Sequence, residues 1–212
     1  PGLLEELVPF EKEISVIVAR NESGDISTYP PVEMEFHPEH NLVEFLFAPS
    51  SAGKNVLDKA DKIARRVASE LGIVGILAIE MFVTKSDEVL VNEIAPRPHN
   101  SGHQTIEANG TSQYEQLLRA ILNLPLGDTR LLMPSAMVNL LGEAGHTGLA
   151  EYEGFAEALS IPGVHVHLYG KKITKPFRKM GHVTIIDQNI DTLKQKAVQV
   201  KNTLKVISKT NG

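Results

Sequence analysis

Two glutamates sit alone in apolar runs: Glu80 in ILAIEMFV and Glu93 in VLVNEIAP. The runs, residues 73–84 and 89–94, are rich in β-branched residues, and KSDE at 85–88 separates them as a hairpin tip would. In a hairpin, residues whose numbers share a constant sum face each other. A tip centred between Ser86 and Asp87 therefore pairs Glu80 with Glu93. Directly opposed side chains have Cβ atoms about 4.5–5.5 Å apart. Two carboxylates at that spacing repel unless a cation or shared proton neutralises them. Hard oxygen ligands of this kind suit Mg²⁺, which takes one or two carboxylates plus substrate phosphates. The plain alternative is a shifted register with both glutamates in solvent, and a one-residue slip would put them on opposite faces. Asn92 points away from Glu93 if the strand is regular.

The next segment, residues 95–103, reads A-P-R-P-H-N-S-G-H. Two prolines fix the backbone, and Arg97, His99, Asn100, Ser101 and His103 follow within seven positions. So dense a set of polar groups is poor packing material and suits the grip of an anion or polar substrate. The competing reading is a polar loop that caps the helix after it. A third feature is a basic cluster of Lys171, Lys172, Lys175, Arg178 and Lys179, within nine residues. Such a run is often only a solvated face, but in an acidic chain it is the one concentrated positive patch.

Several elements must position these groups. Residues 13–20 (EISVIVAR) read as a strand, NESG at 21–24 as a turn, and residues 26–29 as a return strand. FHPEHN at 36–41 is loop-like, and residues 42–47 form a short extended run. Residues 56–71 carry apolar side chains on one 3.6-period face, with Gly72 at the stop position. A second helix starts near Ser112, with Glu115 completing a capping box and Pro125 as its stop. Its expected buried face is Tyr114, Leu117, Leu118, Ile121 and Leu122. After Gly127 short strands follow at 135–141, 164–169 and 182–187. A helical stretch lies near 152–159, and a last helix shows Leu193, Ala197, Val200 and Leu204 at period 3.5 to 4. His165 and His167 share one strand face. Their spacing could chelate a metal, but alternation with Val164, Val166 and Leu168 gives more simply a polar outer face. His182 carries no assigned role. The domain boundary falls between Leu124 and Leu131, giving segments 1–126 and 127–212.

Composition narrows the field. The 212 residues carry a net charge of −5, with 42% hydrophobic residues and no cysteine. That supports a packed core, excludes disulfides and thiolate chemistry, and fits a reducing compartment. No apolar run is long enough to span a membrane. Mild acidity offers no electrostatic case for nucleic acid.

The stretch VNEIAPRPHNSGHQTIE, continued by TSQYEQLLRAILNLPLG, closely resembles the ATP-grasp carboxylases of purine biosynthesis, the 5-(carboxyamino)imidazole ribonucleotide synthases. LVPFEKEISVIVAR, VGILAIEMFVT and YGKKITKPFRKMGH agree, so the resemblance spans essentially the whole chain. It implies an α/β (α+β) fold: the C-terminal part of an ATP-grasp domain, with an antiparallel sheet and packed helices, then a small β-rich, barrel-like domain. It also implies an activity. ATP phosphorylates bicarbonate to carboxyphosphate, which carboxylates the exocyclic amine of 5-aminoimidazole ribonucleotide. ATP and Mg²⁺ are the implied cofactors, and a cytoplasmic homodimer the implied assembly.

Roles follow by matched position. Glu5, Glu6, Leu7 and Val8 resemble the adenine hinge, and Glu13 the ribose-binding acid; without the resemblance Glu13 would read as an exposed strand residue. His37 resembles a nucleotide-contacting histidine. Glu80 and Glu93 match the Mg²⁺ ligands, with Asn92 and Glu93 on the triphosphate side. Arg97, His99, Asn100, Ser101 and His103 match the bicarbonate and imidazole region. Lys171, Arg178 and Lys179 match the 5′-phosphate site. Two departures stand out. The family usually has R-P-G-R-K where this chain has Lys175-Pro176-Phe177-Arg178-Lys179, so a differently shaped turn is expected, since phenylalanine resists a positive φ. Position 95 is alanine where many ATP-grasp enzymes have a metal-binding asparagine, which favours the purine branch. The family's glycine-rich phosphate loop has no counterpart before Glu5. The chain therefore reads as the later part of a longer enzyme, inactive alone. Rival readings are a related ATP-grasp ligase and a non-catalytic nucleotide-binding module.

Overall fold

The computed structural model describes residue 2, residues 5–36 and residues 43–209. His37 lies outside the described residues. The chain leads into β1, Phe10–Arg20, whose residues from Glu13 to Ala19 are all buried. A strand buried on both faces lies inside its sheet, and β1 does. The NESG turn returns the chain as β2, Ile26–Thr28, which pairs with the end of β1. β3, Val32–Phe36, was not evident from sequence; it pairs with the start of β1, and β4, Val43–Ala48, pairs with β3.

Helix α1, Lys54–Glu70, matches its periodicity closely. Val56, Ala60, Ala64 and Ala68 form its buried stripe against Ile14, Val16, Val18, Leu77, Ile79, Met81 and Val83 of the sheet. Alanines every fourth residue let the helix axis lie close to the strands. Gly72 ends the helix at φ +60°, the conformation glycine adopts without strain.

β5, Gly75–Thr84, and β6, Val89–Ala95, form the hairpin that carries the two glutamates. Glu80 lies opposite Glu93, as the constant-sum rule requires. The route to that pairing differs from expectation. At the tip Val83 pairs with Val89, one residue off the expected sum, and a β-bulge between Glu80 and Met81 restores it. Asn92 is the extra residue of that bulge, so β6 is not regular where Asn92 was expected to point away.

The polar loop contains a 3-10 turn at Asn100–Gly102 and a short helix α2, Thr105–Ala108. Helix α3, Gln113–Ile121, begins with Ser112 Oγ accepting the Glu115 N–H, half of the expected capping box. The Glu115 carboxylate instead takes Arg119. The buried face of α3 is not the expected one. Leu118 is 55% exposed and Leu122 63% exposed, and Ile121 and Tyr114 are also exposed. Only Leu117 joins the core, with Ala120. Gln113 and Gln116 are buried instead. Their amides act as substitute backbone partners: Gln116 both donates to and accepts from Gly127. Loop backbone groups need such partners, and periodicity does not reveal that need.

The later part contributes β7, Ser135–Leu141, β8, Gly148–Glu153, and α4, Phe155–Leu159. Tyr152 is thus strand, not helix as expected. β9, Val164–Leu168, β10, Ile173–Thr174, and β11, Lys179–Ile186, precede α5, Ile190–Thr203, and β12, Lys205–Ser208. One nine-stranded sheet runs β6-β5-β1-β3-β4-β7-β11-β9, with β2 on β1; a second sheet runs β10-β8-β12. Both are open among the described residues, so the expected barrel-like closure is absent. The large sheet passes directly from β4 to β7, and α5 buries Leu193, Ala197 and Val200 against β7 and β11.

Phe177 overturns a further expectation. It adopts φ +61° in the turn Lys175–Arg178, closed by Arg178 N–H to Lys175 O at 3.0 Å. With Pro176 ahead of it, this is the φ pattern that favours glycine at the third position. The turn keeps that shape because Gly142 pins it: Phe177 N–H donates to Gly142 O, and Gly142 N–H donates to Arg178 O. Those bonds offset a left-handed cost of about 1–2 kcal/mol. They require close approach, since a Cβ on Gly142 would lie 2.3 Å from Lys175 O. Gly142→Ala is therefore expected to destabilise the fold by about 1–3 kcal/mol, seen as a lower urea midpoint with unchanged slope.

Candidate active site

One face of the large sheet packs on α1; the opposite face carries the chemistry. Ser15 pairs with Glu80, and Glu80 with Glu93, so the three form a row across β1, β5 and β6. Glu13 stands two residues from Ser15 on the same face and is 8% exposed. The bulge brings the Asn92 amide to this side, close enough to favour the ionised Glu13 carboxylate. Burial, then the Glu80 charge, pushes Glu13 up to about 7, against the Asn92 amide and with a further push from Glu93. Burial and Glu93 also raise Glu80, and Lys179 opposes them. Three carboxylates thus share one face, with Glu13 buried, Glu80 half-buried and Glu93 exposed on the edge strand.

His99 closes the row from above. Its Nδ1 accepts the Ser101 N–H at 3.3 Å and meets Ser101 Oγ at 2.9 Å. In the neutral ring the proton then sits on Nε2, which lies 3.5 Å from Glu80 Oε1. Burial, Arg97 and Lys179 hold His99 down to about 4, so this contact is a neutral donor facing a carboxylate. Ser101 Oγ continues to Ser15 Oγ at 2.7 Å. The loop is held by Gln113, which sequence reading missed. Its Oε1 accepts the His99 N–H at 2.9 Å and its Nε2 donates to His99 O at 2.8 Å. Gly102 must be glycine here, because a Cβ would lie 2.5 Å from Gln113 Oε1. The one available signal was polar: Gln113 and Gln116 stand three apart on a helix otherwise rich in leucine.

The remaining expected residues divide. Arg97 is exposed, and its charge acts on both His99 and Lys179. Both amide atoms of Asn100 are buried without a partner among the described residues. His103 lies deeper, with Nδ1 2.9 Å from the Tyr114 hydroxyl and Nε2 3.0 Å from the Tyr169 hydroxyl. Burial first, then His99, holds it down to about 4. The basic cluster separates. Lys179 feels Glu80, Arg97 and Lys171, and Lys171 donates to Lys179 O at 2.5 Å. Arg178 instead donates to Ile173 O at 2.8 Å. Glu5, Glu6, Leu7 and Val8 precede β1 without helix or strand, largely exposed.

His182, given no role from sequence, is buried and stacks on His103 at 4.2 Å and on His167 at 4.5 Å. His167 bonds Glu107 at 2.7 Å, so it is not simply part of a polar outer face. Among the described residues no group of three or more His, Cys, Asp or Glu side chains is arranged to hold a metal unaided. A cavity of about 290 Å³ opens beside Asn139, Phe177, Lys201 and Lys205; none of the glutamates of the row lines it.

Comparison with known proteins identifies the family. A family profile described as the ATP-grasp domain matches residues 1–114. The phosphoribosylaminoimidazole carboxylase C-terminal domain matches residues 135–196. The N5-carboxyaminoimidazole ribonucleotide synthase of Bacillus subtilis is 45% identical over 189 residues, 89% of this chain and 48% of that protein. The crystal structure of N5-carboxyaminoimidazole ribonucleotide synthetase from Thermotoga maritima superposes with a TM-score of 0.90 at 52% identity, covering 97% of this chain and 55% of that one. The Aspergillus clavatus synthase in complex with ADP and 5-aminoimidazole ribonucleotide gives a TM-score of 0.81 at 31% identity, covering 92% and 52%. The chain thus spans about half the length of these relatives. It belongs to the ATP-grasp family, in the branch of the N5-carboxyaminoimidazole ribonucleotide synthases.

Proposed function

We propose that the protein to which this chain belongs carboxylates 5-aminoimidazole ribonucleotide with ATP and bicarbonate, in purine biosynthesis. The observation that carries the proposal is Glu93 directly opposite Glu80, with a buried Glu13 on the same face. Such a face fits a divalent cation, because Glu80, whose proton affinity is raised by burial and by Glu93, stands directly opposite a second carboxylate. Mg²⁺ bound there with ATP would offset charge on the transferring phosphoryl group. Glu80 and Glu93 are its ligands in this reading, Asn92 orients Glu13, and Glu13 meets the ribose of ATP. Glu5, Glu6, Leu7 and Val8 supply the adenine hinge.

The acceptor half lies on the motif loop. Arg97 and Lys179 offset the charge of bicarbonate and of the carboxyphosphate made from it. His99 donates Nε2–H on the same side, while Asn100 and Ser101 supply uncharged hydrogen bonds. The aminoimidazole amine attacks the carboxyl carbon of carboxyphosphate. The C–O bond to phosphate breaks, phosphate leaves, and the amine releases one proton. Lys171 and Lys179 hold the 5′-phosphate; Arg178 joins them in this reading by leaving Ile173 O. The resemblance carries two further parts of the proposal, a homodimer and a cytoplasmic location. No described helix is long and apolar enough to cross a membrane.

Calorimetric titration of the whole protein with ATP, with and without Mg²⁺, tests the metal assignment. Glu93→Gln is expected to weaken Mg²⁺-dependent ATP binding at least about tenfold, or 1.4 kcal/mol; an unchanged Mg²⁺ response overturns it. The pH dependence has a definite sign. Glu13 has a folded pKa raised from 4.5 to about 7, so its contribution to stability is complete below 4.5 and is lost as pH rises through 7. Bound Mg²⁺ competes with protons for these carboxylates. Thermal melts should therefore show Mg²⁺·ATP stabilising the protein more at about pH 8 than at about pH 5. Glu13→Gln should reduce that difference.

A further inference from the structure

Tyr169 lies just beyond β9, between the motif loop and the basic cluster. Its hydroxyl is 3.0 Å from His103 Nε2 and 3.2 Å from His182 Nδ1. The hydrogen-bond direction along this line follows from Gln113. Because Gln113 Oε1 accepts from His99, its Nε2 is a donor, and it faces His103 Nδ1 at 3.3 Å. His103 Nδ1 is therefore the acceptor nitrogen, shared with the Tyr114 hydroxyl at 2.9 Å. A neutral imidazole has one donor and one acceptor. His103 Nε2–H thus donates to the Tyr169 oxygen, which also meets His182 Nδ1 at hydrogen-bond distance. Both nitrogens of His103 thus have partners in this line.

The other side of Tyr169 faces the basic cluster. Lys171 Nζ stands 5.4 Å from the ring centroid and also donates to Lys179 O. His182 is stacked between His103 and His167, and His167 is tied to Glu107. The tyrosine ring is therefore anchored at its hydroxyl by two packed histidines while its face is offered to an ammonium.

We propose that Tyr169 is a positioning residue for the phosphate lysine: its hydroxyl, fixed between His103 and His182, sets the ring, and the ring face holds Lys171 beside Lys179. This rests on the reading of Lys171 and Lys179 as ligands of the 5′-phosphate. It assigns Tyr169 and His182 to the substrate half of the site and His103 to the support beneath it.

Two variants separate the hydroxyl from the ring. Tyr169→Phe keeps the face and removes the anchor; Tyr169→Leu removes both. Ring ¹⁵N spectra of the wild type and Tyr169→Phe should show changed hydrogen-bond shifts at His103 Nε2 and His182 Nδ1. Titration of the whole protein with 5-aminoimidazole ribonucleotide should show Tyr169→Phe within about threefold of wild type. Tyr169→Leu should be weaker than Tyr169→Phe by about 3–30-fold, the size of a cation–π contact. The nucleoside lacking phosphate should show no such split, which a merely structural defect would not spare. Unchanged ring nitrogens in Tyr169→Phe, or equal nucleotide affinity in the two variants, would overturn the proposal. If the wild type does not bind the nucleotide, the functional reading fails, and the ring-nitrogen comparison alone then decides the anchoring of Tyr169.

Discussion

Carboxylates crowded on one sheet face, running from a buried Glu13 to an exposed Glu93, are the constraint around which the structure is arranged. Burial alone disfavours the charged form of a glutamate, and a second and third glutamate add repulsion. Glu13 shows the sum, raised to about 7. An apolar sheet has no intrinsic reason to place Glu13, Glu80 and Glu93 on one face. The surrounding features make sense as responses to that charge: the Asn92 amide on Glu13, the Nε2–H of His99 toward Glu80, and Lys179 near enough to Glu80 to feel it. Each lessens the repulsion, and none supplies a full charge within the row.

A second layer holds those responses in place and is built largely from neutral amides. Gln113 grips the His99 backbone at both its N–H and its C=O, and Gln116 does the same for Gly127. Neutral amides suit this position because they satisfy loop backbone groups without adding charge beside the carboxylates. The result is a helix, α3, that turns glutamines inward while Leu118 and Leu122 remain exposed. Ser101 and Ser15 extend the same principle, joining the motif loop to the central strand through two hydroxyls.

Much of this was legible in the sequence, unevenly. Periodic segments were readable because burial of a repeating face determines them: α1 lies within two residues of its expected limits, and the strand at Ser135–Leu141 matches its limits. The pairing of Glu80 with Glu93 was found through a symmetry that holds only in part, since the tip is displaced by one residue and the bulge compensates. Features that depend on partners distant in sequence were not readable. Nothing local shows that Gln113 meets His99, that His182 stacks between His103 and His167, or that Arg178 turns to Ile173 while Lys179 comes within electrostatic reach of Glu80. The Phe177 turn illustrates the same limit from the backbone side. Its intrinsic preference argues against a positive φ, and two hydrogen bonds from Gly142 override it.

The bulge in β6 has an implication for how this hairpin tolerates change in length. On the tip side residues pair with one constant sum, and on the site side with a sum larger by one. Asn92 is the difference between them. Excising it would leave Met81 opposite Val91 and Glu80 opposite Glu93, with the ladder uninterrupted. Chain connectivity and carboxylate pairing therefore do not need this position. What needs it is the amide, delivered to a face that a regular strand at that point would turn away. An insertion that costs a ladder its regularity and returns one side chain to the crowded face is best understood as a residue retained for its chemistry.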